Sequence, residues 1–187
     1  MDLQAIKDRI PDYAKDLRLN LDAVLGRSSL PPPLARGAAL AAAFAAKAPA
    51  LVAALRDEPG IDPTHARAAL TAAALMGMNN LWYPFVEMAE DPELATLRPE
   101  LRMNAYATHG GVDRPSFELY ALSASIVGKC TFCVRSHYKL LRESGFTVQQ
   151  LRDVGRIAAV IQGVAQVLAA EGHVDAESVG APQGVAA

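Results

Sequence analysis

Apolar residues recur at spacings of three and four along most of the chain, which is the pattern of amphipathic helices. The first segment, residues 2–26, shows this spacing at Leu3, Ile6, Ile10, Leu17, Leu21 and Val24, and Pro11 breaks or kinks it. No stretch alternates apolar and polar positions between turn signals, as a half-buried strand would. The pattern therefore predicts an all-α protein.

Prolines, glycines and capping residues divide the remaining chain into predicted helices. Three of these helices have an expected N-cap, namely Asp62, Asp113 and Thr147, and Gln150 completes a capping box with Thr147. Pro31 to Pro33 are expected to form a stiff connector before the next helix. The predicted helices cover residues 34–48, 50–56, 63–77, 78–90, 99–107, 113–127, 129–144 and 147–170.

Composition narrows this picture to one helical domain. Of 187 residues, 51% are hydrophobic but only 6% are aromatic, and much of the excess is alanine, which favours closely packed helices. We expect a single domain over residues 1–171 and a disordered tail over residues 172–187, which are rich in glycine, proline and alanine.

Charge and hydropathy exclude several classes of function. The net charge is −2 and no basic stripe stands out, which argues against a nucleic-acid-binding protein. Charged residues interrupt the N-terminus too early for a signal peptide. The longest apolar stretch, residues 37–46, is short of the ~20 residues that span a bilayer. We therefore expect a cytoplasmic protein with no membrane and no nucleic-acid partner.

The candidate chemistry lies in one short segment. The only two cysteines, Cys130 and Cys133, are three positions apart, and His137 follows four positions later. On a helix these three side chains share one face within a sector of roughly 60°. Amides at the helix start and the neighbouring Lys129 favour a thiolate at Cys130, while His137 lies within reach of the Cys133 sulfur and could take its proton. A Cys-x-x-Cys pair in a reducing compartment indicates redox or metal chemistry.

Helix geometry predicts that Glu118 lies close to His137. It lies ten residues before Gly128, the predicted turn, and His137 lies nine residues after it. If the two helices form an antiparallel hairpin, both side chains stand ~14 Å from the turn and face each other. Because Glu118 has apolar neighbours, we expect a raised pKa and proton exchange with His137.

Other interpretations of these residues are weaker. A zinc site would need two ligands besides the cysteines, and no second pair of ligands has the right spacing, so no metal is expected. The two cysteines could instead be buried and inert, but Lys129 and His137 beside them favour a reactive dithiol. We expect His65, His109 and His173 to be ordinary surface or loop residues. The helix residues Asn79, Asn80, Trp82 and Tyr83 are expected to serve packing or subunit contact.

The spacing Glu118-x11-Cys130-x2-Cys133-x3-His137 resembles the active-site signature of the alkyl hydroperoxidase D (AhpD) family, a branch of the carboxymuconolactone decarboxylase-like superfamily. The resemblance extends over about residues 1–170. The flanking segments that carry it are residues 10–16, 74–80, 97–104 and 163–166.

This resemblance implies a compact helical AhpD-like fold, with the dithiol at the start of a helix, and a cytosolic homotrimer. It implies an antioxidant enzyme that takes electrons from the dihydrolipoyl group of a carrier protein, a lipoyl-bearing acyltransferase, without a tightly bound cofactor. The electrons pass to an AhpC-type peroxiredoxin, and organic hydroperoxides are reduced weakly. Some members of the family have a histidine between the cysteines, where this chain has Phe132, so that residue's relay role does not transfer.

The roles of the two sulfurs stay open between two arguments. Helix electrostatics favour Cys130 as the more acidic thiol, whereas the resemblance makes Cys133 the exposed attacking thiol and Cys130 its disulfide partner. We favour Cys133, because His137 is its neighbour one turn away. Two rival functions share the fold: a lyase or isomerase of the carboxymuconolactone decarboxylase type, which needs no dithiol, and a non-catalytic helical interaction module.

Overall fold

The computed structural model describes the backbone of residues 2–179 and the side chains of residues 2–172. Within this range the chain contains ten α-helices, two single-turn 3₁₀ segments and no strand, which confirms the all-α prediction. The α-helices are α1 (Leu3–Asp8), α2 (Lys15–Gly26), α3 (Pro32–Ala45), α4 (Pro49–Arg56), α5 (Pro63–Ala89), α6 (Pro92–Thr96), α7 (Asn104–Ala107), α8 (Arg114–Val127), α9 (Thr131–Glu143) and α10 (Val148–Val179).

Helix α8 forms the centre of the fold. It packs against α3, α5, α9 and α10, and every residue from Ser116 to Ser125 is buried. A helix that is buried on all sides must carry apolar side chains all round, or polar ones with partners inside the protein. Ser123 meets this condition, because its hydroxyl donates to the Ala38 carbonyl at 2.7 Å.

The small residues of α3 allow this close packing. Residues 38–43 are all fully buried, and five of the six are alanines. A Cβ on Gly37 would overlap the ring of Tyr120, so glycine lets α3 approach α8 at that point. Because an alanine side chain is only a methyl group, the axes of α3 and α8 can lie close together, and this packing helps to fix the position of α8.

The predicted caps are confirmed. The Asp62 carboxylate accepts from the backbone amides of Thr64 and His65, and the Asp113 carboxylate accepts from the amide of Ser116 at 2.7 Å. Thr147 and Gln150 form the reciprocal capping box, with N–H to side-chain distances of 2.9 and 3.1 Å. These caps fix where α5, α8 and α10 begin.

Several predicted boundaries were wrong. Helix α3 begins at Pro32, because prolines need no N–H partner in a first turn. Helix α5 is one helix of 27 residues, and it continues through Gly77 and accommodates Pro84 inside. The helix predicted over residues 99–107 reduces to α7, because Glu100 has a left-handed backbone with φ of 49°.

The C-terminal helix is longer than predicted. Helix α10 continues to Val179 rather than ending near Ala170. Residues 180–187 of the predicted tail, and the His173 side chain, lie outside the described residues. The domain boundary at residue 171 stays a prediction.

Helix α10 is also long and apolar enough to cross a bilayer by length and composition alone. Of its apolar window, 44% is buried inside the fold, where it packs against α2, α3 and α8. The buried part of this apolar window packs in the core of the fold.

A buried carboxylate fixes α10 to the loop before α3. Asp153 is 3% exposed and accepts from the amide and the hydroxyl of Ser29 at 2.8 and 2.7 Å, with Arg152 and Arg156 each at 3.1 Å. Burial by itself would raise the pKa of Asp153, but the bonds from Ser29 and the two guanidinium groups outweigh it and lower the pKa well below its usual range.

We therefore expect Asp153→Asn to lower the free energy of unfolding by about 2 kcal/mol at pH 7, the scale of a hydrogen bond to a charged group. Because the folded-state pKa is depressed, the charge stabilises the fold above the unfolded-state pKa of about 3.9, and this contribution is lost as the pH falls toward the folded-state value. Urea unfolding of both proteins at pH 7 and pH 3 measures the difference.

Asp22→Asn, at an exposed ion pair with Lys7, is the control and should lower the free energy of unfolding by less than about 1 kcal/mol. An Asp153→Asn penalty that is equal at both pH values would contradict the electrostatic explanation.

Candidate active site

The site forms where α8 turns back into α9. Gly128 follows the last residue of α8, Lys129 has a left-handed backbone with φ of 56°, and Cys130 is the N-cap of α9. The predicted antiparallel hairpin is confirmed. Its second helix begins at Thr131, two residues later than predicted, because the left-handed turn at Lys129 interrupts the helical backbone.

Gly128 allows α5 to contact this turn. A Cβ at residue 128 would overlap the side-chain amide of Asn80, which donates to the Ala124 carbonyl at 3.2 Å. Asn80 thus adds a second donor to the Ala124 carbonyl, which also accepts from the Gly128 N–H at 3.0 Å. The contact fixes the start of α9, and with it both cysteines, against the middle of α5.

The two cysteines are joined in a disulfide, with their Cα atoms 5.3 Å apart. Cys130 lies at the N-cap rather than in the first turn where it was predicted, and its Sγ accepts from the backbone N–H of Cys133 at 3.2 Å. An N–H directed at sulfur and the positive end of the helix dipole both stabilise a thiolate. When the disulfide opens, Cys130 is therefore the better-stabilised leaving sulfur.

The two sulfurs differ in access. Cys130 is fully buried, whereas Cys133 is 3% exposed and forms part of the wall of a 340 Å³ cavity. The cavity is lined by Met76, Asn79, Tyr83, Met103, Tyr106, Ala107, Phe132, Cys133, Ser136 and His137. A small molecule or an inserted side chain in this cavity meets the Cys133 sulfur first.

Glu118 and His137 face each other across the hairpin at the predicted level. The Glu118 Oε2 atom lies 2.5 Å from His137 Nδ1, so the two side chains are in direct contact without a bridging water. On the other side of the ring, His137 Nε2 lies 3.3 Å from the Met76 sulfur. His137 and Cys133 are one turn apart on α9 and share the cavity wall.

The expectation of a raised Glu118 pKa was wrong. Burial, the largest single effect, does favour the neutral acid, but the hydrogen bonds from His137 and Tyr106 and the charge of Arg114 outweigh it. The net result is a lowered pKa, and Glu118 is a carboxylate at neutral pH. The sequence showed the apolar neighbours on α8, but not the donors that other segments bring to the carboxylate.

Two of those donors were not identified from the sequence. Tyr106, on α7, donates its hydroxyl to Glu118 Oε1, and Arg114 Nε lies 3.6 Å from the same oxygen. A capped helix start at Asp113 places Arg114 one turn before Glu118, so its spacing was a usable signal. Tyr106 had no such signal, because α7 is a short helix in an irregular segment.

Helix α5 contributes more to the site than predicted. The Asn79 carbonyl oxygen lies 3.7 Å from Cys133 Sγ and 4.0 Å from Cys130 Sγ. Tyr83 stacks on Phe132, with ring centroids 4.2 Å apart and planes 21° from parallel. Residues 79–83 therefore form one side of the dithiol site, where packing or subunit contact alone was expected.

His65 and His109 make more contacts inside the protein than predicted. His65 is half-buried, and its Nδ1 lies 2.5 Å from the Tyr120 hydroxyl. His109 packs beside Tyr106 and Phe117. Neither histidine lines the dithiol cavity. Across the part of the chain that the structure describes, no three His, Cys, Asp or Glu side chains gather as a metal site would require.

The geometry supports thiol–disulfide chemistry with an attached proton path. Cys133 lines a cavity, the Cys130 sulfur is stabilised at a helix start, and an imidazole held by a carboxylate lies beside them. This set can attack an electrophilic sulfur or oxygen, move a proton and close again as a disulfide.

A known protein family matches the segment that contains the site. Residues 92–176 match the model of the carboxymuconolactone decarboxylase family. This match includes Glu118, both cysteines and His137, as well as Tyr106.

Relatives of known name extend the likeness over nearly the whole chain. The alkyl hydroperoxide reductase AhpD of Rhodospirillum centenum is 42% identical over 91% of this chain and 92% of its own length. The AhpD proteins of Streptomyces avermitilis and Coxiella burnetii are 42% and 41% identical, over 91% and 88% of this chain and 97% and 96% of their own lengths. The dithiol hairpin and these relatives together show that the chain is an enzyme of the alkyl hydroperoxide reductase AhpD family.

Proposed function

We propose that this protein is an antioxidant thiol–disulfide oxidoreductase of the cytoplasm. It takes electrons from the dihydrolipoyl group of a carrier protein, a lipoyl-bearing acyltransferase, and passes them to an AhpC-type peroxiredoxin. It also reduces organic hydroperoxides directly but weakly. The observation that carries the proposal is the asymmetric disulfide, in which Cys133 opens to the cavity and Cys130 is buried at the start of α9.

In the reducing half-reaction, one thiolate of the dihydrolipoyl group attacks Cys133 Sγ. The Cys130–Cys133 bond breaks, and Cys130 leaves as a thiolate that the Cys133 N–H stabilises. The second lipoyl thiol then attacks the mixed disulfide and releases Cys133, so lipoamide leaves with the new disulfide. Two electrons and two protons reach the enzyme dithiol.

In the oxidising half-reaction, the Cys133 thiolate attacks the disulfide of the peroxiredoxin. Cys130 then attacks the mixed disulfide, which reforms the enzyme disulfide and leaves the peroxiredoxin as a dithiol. With a hydroperoxide, Cys133 takes the terminal oxygen as a sulfenic acid and the alcohol departs. Attack by Cys130 then releases water.

His137 is the proton carrier in this scheme, and Glu118 orients it. With Nδ1 held by the carboxylate at 2.5 Å, Nε2 is the ring nitrogen left to exchange a proton with Cys133, and it lies 3.3 Å from the sulfur of Met76 in the cavity wall. An ionised Glu118 favours the imidazolium that forms. The lowered pKa of Glu118 keeps this support in place at neutral pH.

We also propose that the enzyme is a homotrimer. Supporting this, Leu81, Phe85 and Met88 lie on one face of the second half of α5 and are 74%, 49% and 76% exposed. Large apolar side chains grouped in this way mark a contact surface rather than a solvated face. The contact would lie beside the cavity wall formed by Asn79 and Tyr83.

A lyase of the carboxymuconolactone decarboxylase type is the alternative, since the family model carries that name. Such chemistry has no use for two thiols that can form a disulfide. A disulfide that has Cys133 in the cavity wall therefore favours the redox function.

Single cysteine variants separate the roles of the two sulfurs. Cys130→Ser keeps the accessible thiol but lacks its partner, so it should trap a mixed disulfide with an oxidised AhpC-type peroxiredoxin. Cys133→Ser should trap none and should lose peroxide turnover to the uncatalysed background. Mass spectrometry under non-reducing conditions and a coupled peroxide assay with dihydrolipoamide measure both.

Ser136→Ala, at the same cavity, serves as the control for general damage to the wall. Trapping by Cys133→Ser alone would reverse the assignment of the thiols. Full peroxide turnover in both cysteine variants would place the chemistry elsewhere.

Charge placed on the apolar face of α5 tests the trimer. We expect the Leu81→Glu, Met88→Glu double variant to dissociate to monomers, because it would bury carboxylates in the subunit contact. Light scattering after size-exclusion chromatography reports the mass. Leu19→Glu, at a 68% exposed leucine of α2, is the matched control and should keep the wild-type mass. A wild-type protein that is monomeric would rule the trimer out.

A further inference from the structure

Tyr106 links the cavity wall to the buried carboxylate. Its ring is half-buried on α7 and packs edge-on against Phe117 and His109, with centroids 5.6 and 5.8 Å away. From that position the side chain lines the cavity, and its hydroxyl reaches Glu118 Oε1. It thus connects an irregular surface segment to the centre of the fold.

Each oxygen of Glu118 has a separate partner. Oε2 faces His137 at 2.5 Å, and Oε1 receives the hydroxyl of Tyr106. Arg114 Nε is farther away, 3.6 Å from Oε1, and its side chain is 57% exposed. Since Glu118 is fully buried, Tyr106 provides the short bond that holds the second oxygen.

We propose that Tyr106 is a positioning residue of the proton path, whose hydroxyl holds Glu118 ionised and turned toward His137. The inference rests on the proposed function, because it assigns a role in the same reaction. Tyr106 does not touch the reacting sulfur. It acts through Glu118 and then through His137.

The protonation state of the phenol suits this role. Burial, followed by the hydrogen bond to Glu118, raises the pKa of Tyr106 to about 12, so the hydroxyl remains a neutral donor throughout an ordinary assay range. A neutral donor stabilises the carboxylate over the carboxylic acid. The groups that face Glu118 are His137 from α9, Tyr106 from α7 and Arg114 from its own helix. Loss of one of them lets burial raise the pKa.

Tyr106→Phe tests the proposal, because it removes the hydroxyl and keeps the ring against Phe117 and His109. We expect the acid limb of the pH profile of kcat, with dihydrolipoamide and a hydroperoxide, to move upward by about one pH unit, the scale of one hydrogen bond to a charge. The sign follows from the lowered pKa in the wild type: the carboxylate protonates at a higher pH once its donor is gone. We expect kcat at neutral pH to fall several-fold and KM to change by less than about twofold.

A second readout does not depend on turnover. In protein labelled with ¹³C at the glutamate carboxyl groups, the Glu118 resonance, assigned with Glu118→Gln, should titrate at a higher pH in Tyr106→Phe than in the wild type. Tyr13→Phe is the matched control, since it removes a hydroxyl that also donates to a carboxylate, that of Glu171, and neither residue lines the cavity. Its acid limb and the Glu118 titration should stay at the wild-type pH.

If Tyr106→Phe does not fold, 3-fluorotyrosine at position 106 provides the test. Its more acidic hydroxyl is a stronger donor and should move the Glu118 titration to lower pH. A Glu118 titration that is unchanged in the folded variant would overturn the role of Tyr106. A wild-type protein without dithiol turnover would instead overturn the proposed function and leave the Glu118 titration to decide on Tyr106 by itself.

Discussion

A buried carboxylate at the centre of the fold is the constraint on which the site depends. Glu118 is fully buried. It lies on α8, the helix against which α3, α5, α9 and α10 pack. A carboxylate in this position is costly unless donors surround it. The fold supplies them from separate segments: His137 from the second arm of the hairpin, Tyr106 from α7 and Arg114 from the first turn of α8. Satisfying the charge therefore fixes the hairpin and orients the imidazole beside the dithiol.

The dithiol itself depends on where α9 begins. Because Lys129 adopts a left-handed backbone, Cys130 becomes the N-cap and its sulfur accepts from the free amide of Cys133. Cys133, one turn later, faces the cavity. A single turn of backbone thus gives two chemically different sulfurs, one suited to leave as a thiolate and one suited to meet a partner. Access and acidity, which the sequence argument had set against each other, belong to different steps of the proposed cycle.

Local signals were enough to predict much of this arrangement. The caps at Asp62, Asp113 and Thr147 and the 3.6-residue period gave most helices. The positions of Glu118 and His137 about the turn at Gly128 gave their contact. These features depend on residues near each other in the chain, or on the fixed rise of a helix.

What the sequence could not predict depends on contacts between distant segments. The sign of the Glu118 pKa shift is set by Tyr106 and His137, which only the folded chain brings to the carboxylate. The Asn79 carbonyl and the Tyr83 ring reach the dithiol because α5 continues through Gly77, where tertiary packing overrides a weak helix former.

The central claim is that Cys130 and Cys133 form a reversible redox pair. It is tested most directly by equilibrating the full-length protein with mixtures of lipoamide and dihydrolipoamide. The free thiols are then alkylated and the protein mass is measured by mass spectrometry. We expect two populations only, one with both thiols alkylated and one with neither, whose ratio follows the couple reversibly as a two-electron Nernst curve. Thiols that remain fully alkylated at every ratio of the couple would contradict it.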